Sequence, residues 1–170
     1  MGKQFVVAFV AALLATGVQA AGLPVGMAQF DLGSPQAAVM AKVNSEFKVI
    51  PVSDNPNKFL LASIDAPSDV IGGVAFSRGR LSWVLRIWGN YCAGTHADKV
   101  ARSLYGALSN ASSESGAIAH VTTTTRSIPG TEFRTTTFQF GKHQVTLTET
   151  DGKLACGGSH QVEVDESIAE

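Results

Sequence analysis

Two cysteines and two histidines carry the most reactive chemistry this chain offers. Cys92-Ala93-Gly94-Thr95-His96 and Cys156-Gly157-Gly158-Ser159-His160 repeat one pattern: cysteine, small residue, glycine, hydroxyl, histidine. In an oxidising compartment the two thiols, 64 residues apart, join as one structural disulfide. The same four side chains, Cys92, His96, Cys156 and His160, could instead give zinc a tetrahedral N/S shell. A free Cys92 thiolate with His96 as its base is a third reading. The chain has no Gly-x-Ser-x-Gly elbow, no His-Glu-x-x-His pair, no phosphate-binding Gly-Lys-Ser/Thr loop and no acidic calcium loop. The expectation is therefore no catalytic residue, no metal and no cofactor. A small hydrolase or zinc protein built on the Cys/His cluster, with Glu149 as an accessory acid, stays open as the alternative.

A second group of residues suits contact rather than catalysis. Arg78, Arg80, Trp83, Arg86, Trp88 and Tyr91 crowd one segment, and Trp, Tyr and Arg dominate binding hot spots because they bury large rigid surface with a polar handle. Strict strand alternation puts Leu81, Trp83, Leu85 and Ile87 on a core face, and Ser82, Val84, Arg86 and Trp88 on the other. Of 13 threonines, 11 fall between 122 and 150. Thr135 and Thr137 share a face with Gln139, and Thr146 and Thr148 share one with Gln144. The candidate binding set is Arg86, Trp88, Arg134, Thr135 and Thr137. Glu163, Asp165, Glu166 and Glu170 read as a solvated acidic terminus. Asn110-Ala111-Ser112 fits the glycosylation sequon.

These groups need a frame, and the pattern supplies two helices and eight strands. Ser34-Pro35 starts a helix with the apolar stripe Val39, Val43, Phe47. Strands are expected near 48–53, 58–64, 70–77 and 80–88, the last two joined at Arg78-Gly79. A second helix begins at Thr95, with Asp98 in its first turn and Val100, Leu104, Leu108 and Ala111 on one face, and it ends within Asn110 to Gly116. Strands follow near 117–127, 132–140, 143–150 and 153–164, turned at Pro129-Gly130, Gly141-Lys142 and Asp151-Gly152. The helix caps lie 61 residues apart and the hairpin glycines Gly79 and Gly141 lie 62 apart. The fold class is thus α+β: an antiparallel sheet with two helices on one face, arranged as tandem helix-plus-four-strand halves, 30–91 and 92–165.

Residues 1–20 read as a signal peptide, with Lys3 before the apolar run Phe5 to Ala15 and Val18-Gln19-Ala20 at the cleavage point. That run is too short to span a bilayer. The mature chain, 21–170, then forms one periplasmic or secreted domain without a stable membrane anchor. With 13 Lys and Arg against 14 Asp and Glu, the surface lacks the positive charge that nucleic acid demands.

Two helix-plus-four-strand units, with Leu32-Gly33-Ser34 leading into the Val39 helix, resemble the beta-lactamase inhibitory protein fold. Small outer-membrane assembly lipoproteins share a related unit, though no lipidation cysteine stands at the cleavage point here. The resemblance implies helices on one face of a sheet and an open face for a protein partner; it carries over no functional residue. The expected function is an exported binding module of inhibitor-like or immunity-like kind, with a structural envelope protein as a further alternative.

Overall fold

The computed structural model describes residues 21–94 and 97–170; the signal-peptide reading, Thr95 and His96 lie outside the described residues. The chain opens with a short hairpin, β1 (Gly22–Val25) and β2 (Ala28–Asp31). Its alternation buries Leu23, Val25, Ala28 and Phe30 around the turn at Gly26-Met27. Helix α1 (Gln36–Glu46) follows, then β3 (Lys48–Val52), β4 (Asn55–Ala62), β5 (Val70–Ser77) and β6 (Arg80–Cys92). The second half repeats that order with α2 (Ala97–Ser115), β7 (His120–Ile128), β8 (Thr131–Phe140), β9 (His143–Gly152) and β10 (His160–Ala169). A 3-10 turn at Cys156–Gly158 precedes the last strand.

Each helix is followed by a four-stranded meander, and the two meanders fuse into one antiparallel sheet ordered β3-β4-β5-β6-β10-β9-β8-β7. The final strands of the two halves, β6 and β10, therefore meet at the centre. Both helices and the β1-β2 hairpin cover the same face. Val39 and Val43 of α1 pack with Phe30, Leu61, Val74, Phe76, Leu81, Val84 and Ile168. Ala107 and Ala111 of α2 pack with Phe140, Val145 and Val164, joined by Leu104, Leu108 and Trp88. Among the described residues no helix lies on the opposite face.

Several local expectations are corrected. Ser34 does not cap α1: the helix begins one residue after Pro35, without a side-chain cap. The backbone there is zipped to the β5-β6 turn instead, with Gln36 N–H donating to Gly79 O and Leu81 N–H donating to Ser34 O. That turn needs two left-handed residues, Arg78 (φ 52°) and Gly79 (φ 74°). Helix α2, by contrast, ends at Ser115, inside the expected stretch from Asn110 to Gly116, because Ala111 carries its buried stripe past Asn110. The Asp151-Gly152 hairpin does not form. Strand β9 runs through Gly152, and residues 153–159 connect it to β10. The last strand accordingly sits at 160–169 rather than 153–164. Glu163, Asp165 and Glu166, read as a solvated tail, lie at the middle of the sheet.

The most consequential correction is to the parity of β6. Ala75 pairs with Trp83 and Phe76 pairs with Leu81, leaving Ser82 as an extra residue. One inserted residue reverses the faces of everything beyond it. Leu81 stays in the core as expected. Past the bulge Val84, Arg86 and Trp88 take the helix side, and Trp83, Leu85 and Ile87 take the open side.

Candidate functional site

A second bulge ends this reversal. Gly89 pairs with Val164 and Ile87 with Asp165, so Trp88 is the extra residue opposite β10. Its ring lies under α2 at Gly106, where an added Cβ would come within 2.7 Å of Cζ3. Arg86 stacks on the same ring, 3.8 Å from its centroid. Burial lowers the Arg86 pKa, and the facing Glu166 opposes that shift. Arg86 and Trp88 thus do not form an open-face contact patch.

What they surround is a buried polar node. Glu166 is fully buried. Trp88 Nε1 donates to its Oε2 at 2.9 Å, Asn110 Nδ2 donates to its Oε1 at 2.9 Å, and His143 Nδ1 stands 3.2 Å from Oε1. Four elements meet there: β6, α2, β9 and β10. A buried carboxylate is tolerable only when its lone pairs are filled, and here three side chains fill them. The sequon asparagine is one of them, so its amide is engaged inside the fold. Glu166 was legible in principle: Val164-x-Glu166-x-Ile168 places a carboxylate between two core positions on one strand face.

The rest of the expected binding set divides. Arg134 pairs in register with Glu149 on the helix side, their charged groups 3.9 Å apart. Glu149 shares the parity of Val145 and Leu147, but its side chain stays 37% exposed, so the buried acid of the fold is Glu166. Thr135 and Thr137 do lie on the open face. They belong to two cross-strand rows, Thr122–Thr137–Thr146–Asp165 and Thr124–Thr135–Thr148–Glu163. Each row starts with threonine on the β7 edge and ends on a carboxylate in the central strand.

On the other side of these carboxylates the open face becomes apolar, with Ile87, Leu85 and Trp83 on β6 and Leu60 and Ile50 beyond. Gly73 makes room for this packing: a Cβ there would stand 3.2 Å from the Trp83 ring and 3.5 Å from Leu60. Lys58 Nζ rests 4.3 Å from the Trp83 ring centroid. Confinement between the apolar strip and the threonines pushes the Asp165 carboxyl up to about 7. Burial is the main cause, the Glu163 charge adds to it, and a hydrogen bond from Thr146 opposes it. Burial raises Glu163 as well. The ion pairs among the described residues are Arg102–Asp98, Arg134–Glu149, His143–Glu166 and His160–Asp151, so neither open-face carboxylate has a cation of its own.

Comparisons with protein-family models, with curated proteins and with solved structures found no match.

Cys92 and Cys156 are joined as a disulfide, which removes both sulfurs from zinc binding and from thiolate chemistry. The bond holds the end of β6 to the turn that leads into β10. His160 Nδ1 instead meets Asp151 Oδ1 at 2.7 Å. Among the described residues no group of three or more His, Cys, Asp or Glu is placed to hold a metal ion. No described helix is long and apolar enough to cross a membrane. Disulfides persist in oxidising compartments.

Proposed function

We propose that this protein is an exported binding module that engages a protein partner, in the manner of an inhibitor or immunity protein, through the open face of its sheet. The observation that carries the reading is the composition of that face. A strip of Trp83, Leu85 and Ile87 adjoins two unpaired carboxylates, and ladders of threonine hydroxyls lie beyond them. Apolar strip, charge and hydroxyls together match the anatomy of a protein interface, where a desolvated centre is bordered by hydrogen-bonding groups. Glu163 and Asp165 would receive a lysine or arginine of the partner. The helix-plus-four-strand order of each half supports the resemblance to the beta-lactamase inhibitory protein fold, and with it an ancestral duplication. The disulfide supports export.

The test is partner capture from envelope and secreted fractions of the native host. A Thr137→Arg/Thr148→Arg variant should lose captured protein by about tenfold or more, since each arginine projects into the contact plane. A Lys99→Glu/Arg102→Glu variant on the exposed side of α2 should retain it. The reverse pattern would move the interface to the helix side and refute the proposal.

A further inference from the structure

A cleft of about 720 Å³ opens on the helix-covered side, between the β1-β2 hairpin and the C-terminal end of α2. Gln29, Asp31, Asn110, Glu114, Ser115 and His143 line it. Its floor is made by His143, whose second ring nitrogen takes no part in the Glu166 node. His143 is only 2% exposed, and its Nδ1 is committed to Glu166. No described side chain or backbone group hydrogen-bonds Nε2. Among the described residues no fully buried side-chain N or O lacks a partner, in keeping with Nε2 opening onto the cleft that His143 lines. A carboxylate can only accept, so Nδ1 carries a proton toward Glu166, and in the neutral imidazole the Nε2 lone pair then faces the cleft. Asp31 and Glu114 add two anionic acceptors at the wall, and among the described residues no Lys or Arg lines the space. Arg86, paired across the strands with Glu166, is stacked on Trp88 and takes no part in the lining.

We infer that this cleft is a second binding site, distinct from the open sheet face, which takes an ammonium or guanidinium group. Such a group donates one N–H to His143 Nε2 and its remaining N–H bonds to Asp31 and Glu114, with Asn110 and Ser115 at hand for a hydroxyl or amide beside the charge. Glu166 acts as a positioning residue: it holds the imidazole in the tautomer that accepts. The same chemistry is available from a free amine and from a basic side chain on a peptide.

The inference is tested by following the His143 imidazole signals of the purified protein by NMR. The probes are agmatine, a blocked tripeptide with a central arginine, and glycerol as an uncharged donor. A saturable shift with agmatine and the tripeptide alike assigns the site to the cationic group in general. A shift with agmatine alone assigns it to a free amine, and a shift with the tripeptide alone assigns it to a peptide side chain. In each case Asp31→Asn/Glu114→Gln, which alters only wall residues, should weaken binding about tenfold, and glycerol should have no effect. Absence of any saturable shift up to about 10 mM overturns the inference. So does unchanged binding in the double variant. A His143 shift on acetylating the protein's α-amino group, with none from added cations, also overturns it, because the chain's own terminus would then fill the cleft.

Discussion

Replacing Asp165 by asparagine tests the electrostatics of the open face directly. The Asp165 carboxyl sits between Thr146 on one neighbouring strand and Ile87 on the other, and its pKa rises from an ordinary 3.8 to about 7. The folded protein therefore holds this proton more tightly than the unfolded chain does. Stability is greatest below the unfolded value, and it is lost as pH rises through the window from 3.8 to about 7. That interval, roughly three pH decades, corresponds to a ceiling of about 4 kcal/mol, and residual solvent contact brings the expected loss nearer ~2 kcal/mol. Asparagine copies the neutral acid in shape and hydrogen bonding but never ionises. Urea denaturation of both proteins should give nearly equal stabilities at about pH 3.5, and a variant more stable by ~2 kcal/mol at about pH 8. A difference that stays flat with pH, or an asparagine variant less stable at about pH 8, would refute the desolvation argument.

Three further outcomes follow from the packing. Trp88→Ala should cost about 3–5 kcal/mol in equilibrium unfolding, because it empties the space under Gly106 and removes a donor from Glu166; an unchanged thermal midpoint would contradict the placement beneath α2. Glu166→Leu should cost about 3–5 kcal/mol by stranding the Trp88, Asn110 and His143 donors, with Glu166→Gln milder, as measured by chemical denaturation. The native protein should show no titratable thiol, and Cys92→Ser should lower stability by about 2–4 kcal/mol through the 64-residue loop it releases.

Element order was legible from periodicity and turn chemistry. Val39, Val43 and Phe47 marked α1, and Pro129-Gly130 and Gly141-Lys142 marked the turns that end and begin β7 to β9. The disulfide was legible from cysteine spacing. Bulges were not. Nothing in Leu81-Ser82-Trp83 announces an extra residue, because a bulge is fixed by how the partner strand pairs rather than by local composition. A single insertion at Ser82 was enough to exchange the faces of Arg86 and Trp88 with those of Leu85 and Ile87. The site around Glu166 was missed for a related reason. Charge density in 163–170 suggests a solvated tail, whereas tertiary partners from three other elements make one of those acids a core residue. The β1-β2 hairpin left a readable trace, Leu23 and Val25 answered by Ala28 and Phe30, but Pro24 inside it masks the strand pattern.

The proposed contact with a partner lies on the uncovered face of the sheet. The competing surface is on α2, where Tyr105 is 75% exposed and Leu108, Ile118 and Phe140 line an adjoining groove. A photo-crosslinking residue placed at position 137, and in a separate protein at position 105, distinguishes the two in the native host. Crosslinked partner from position 137 with none from position 105 is the predicted result; adducts from position 105 alone would contradict it.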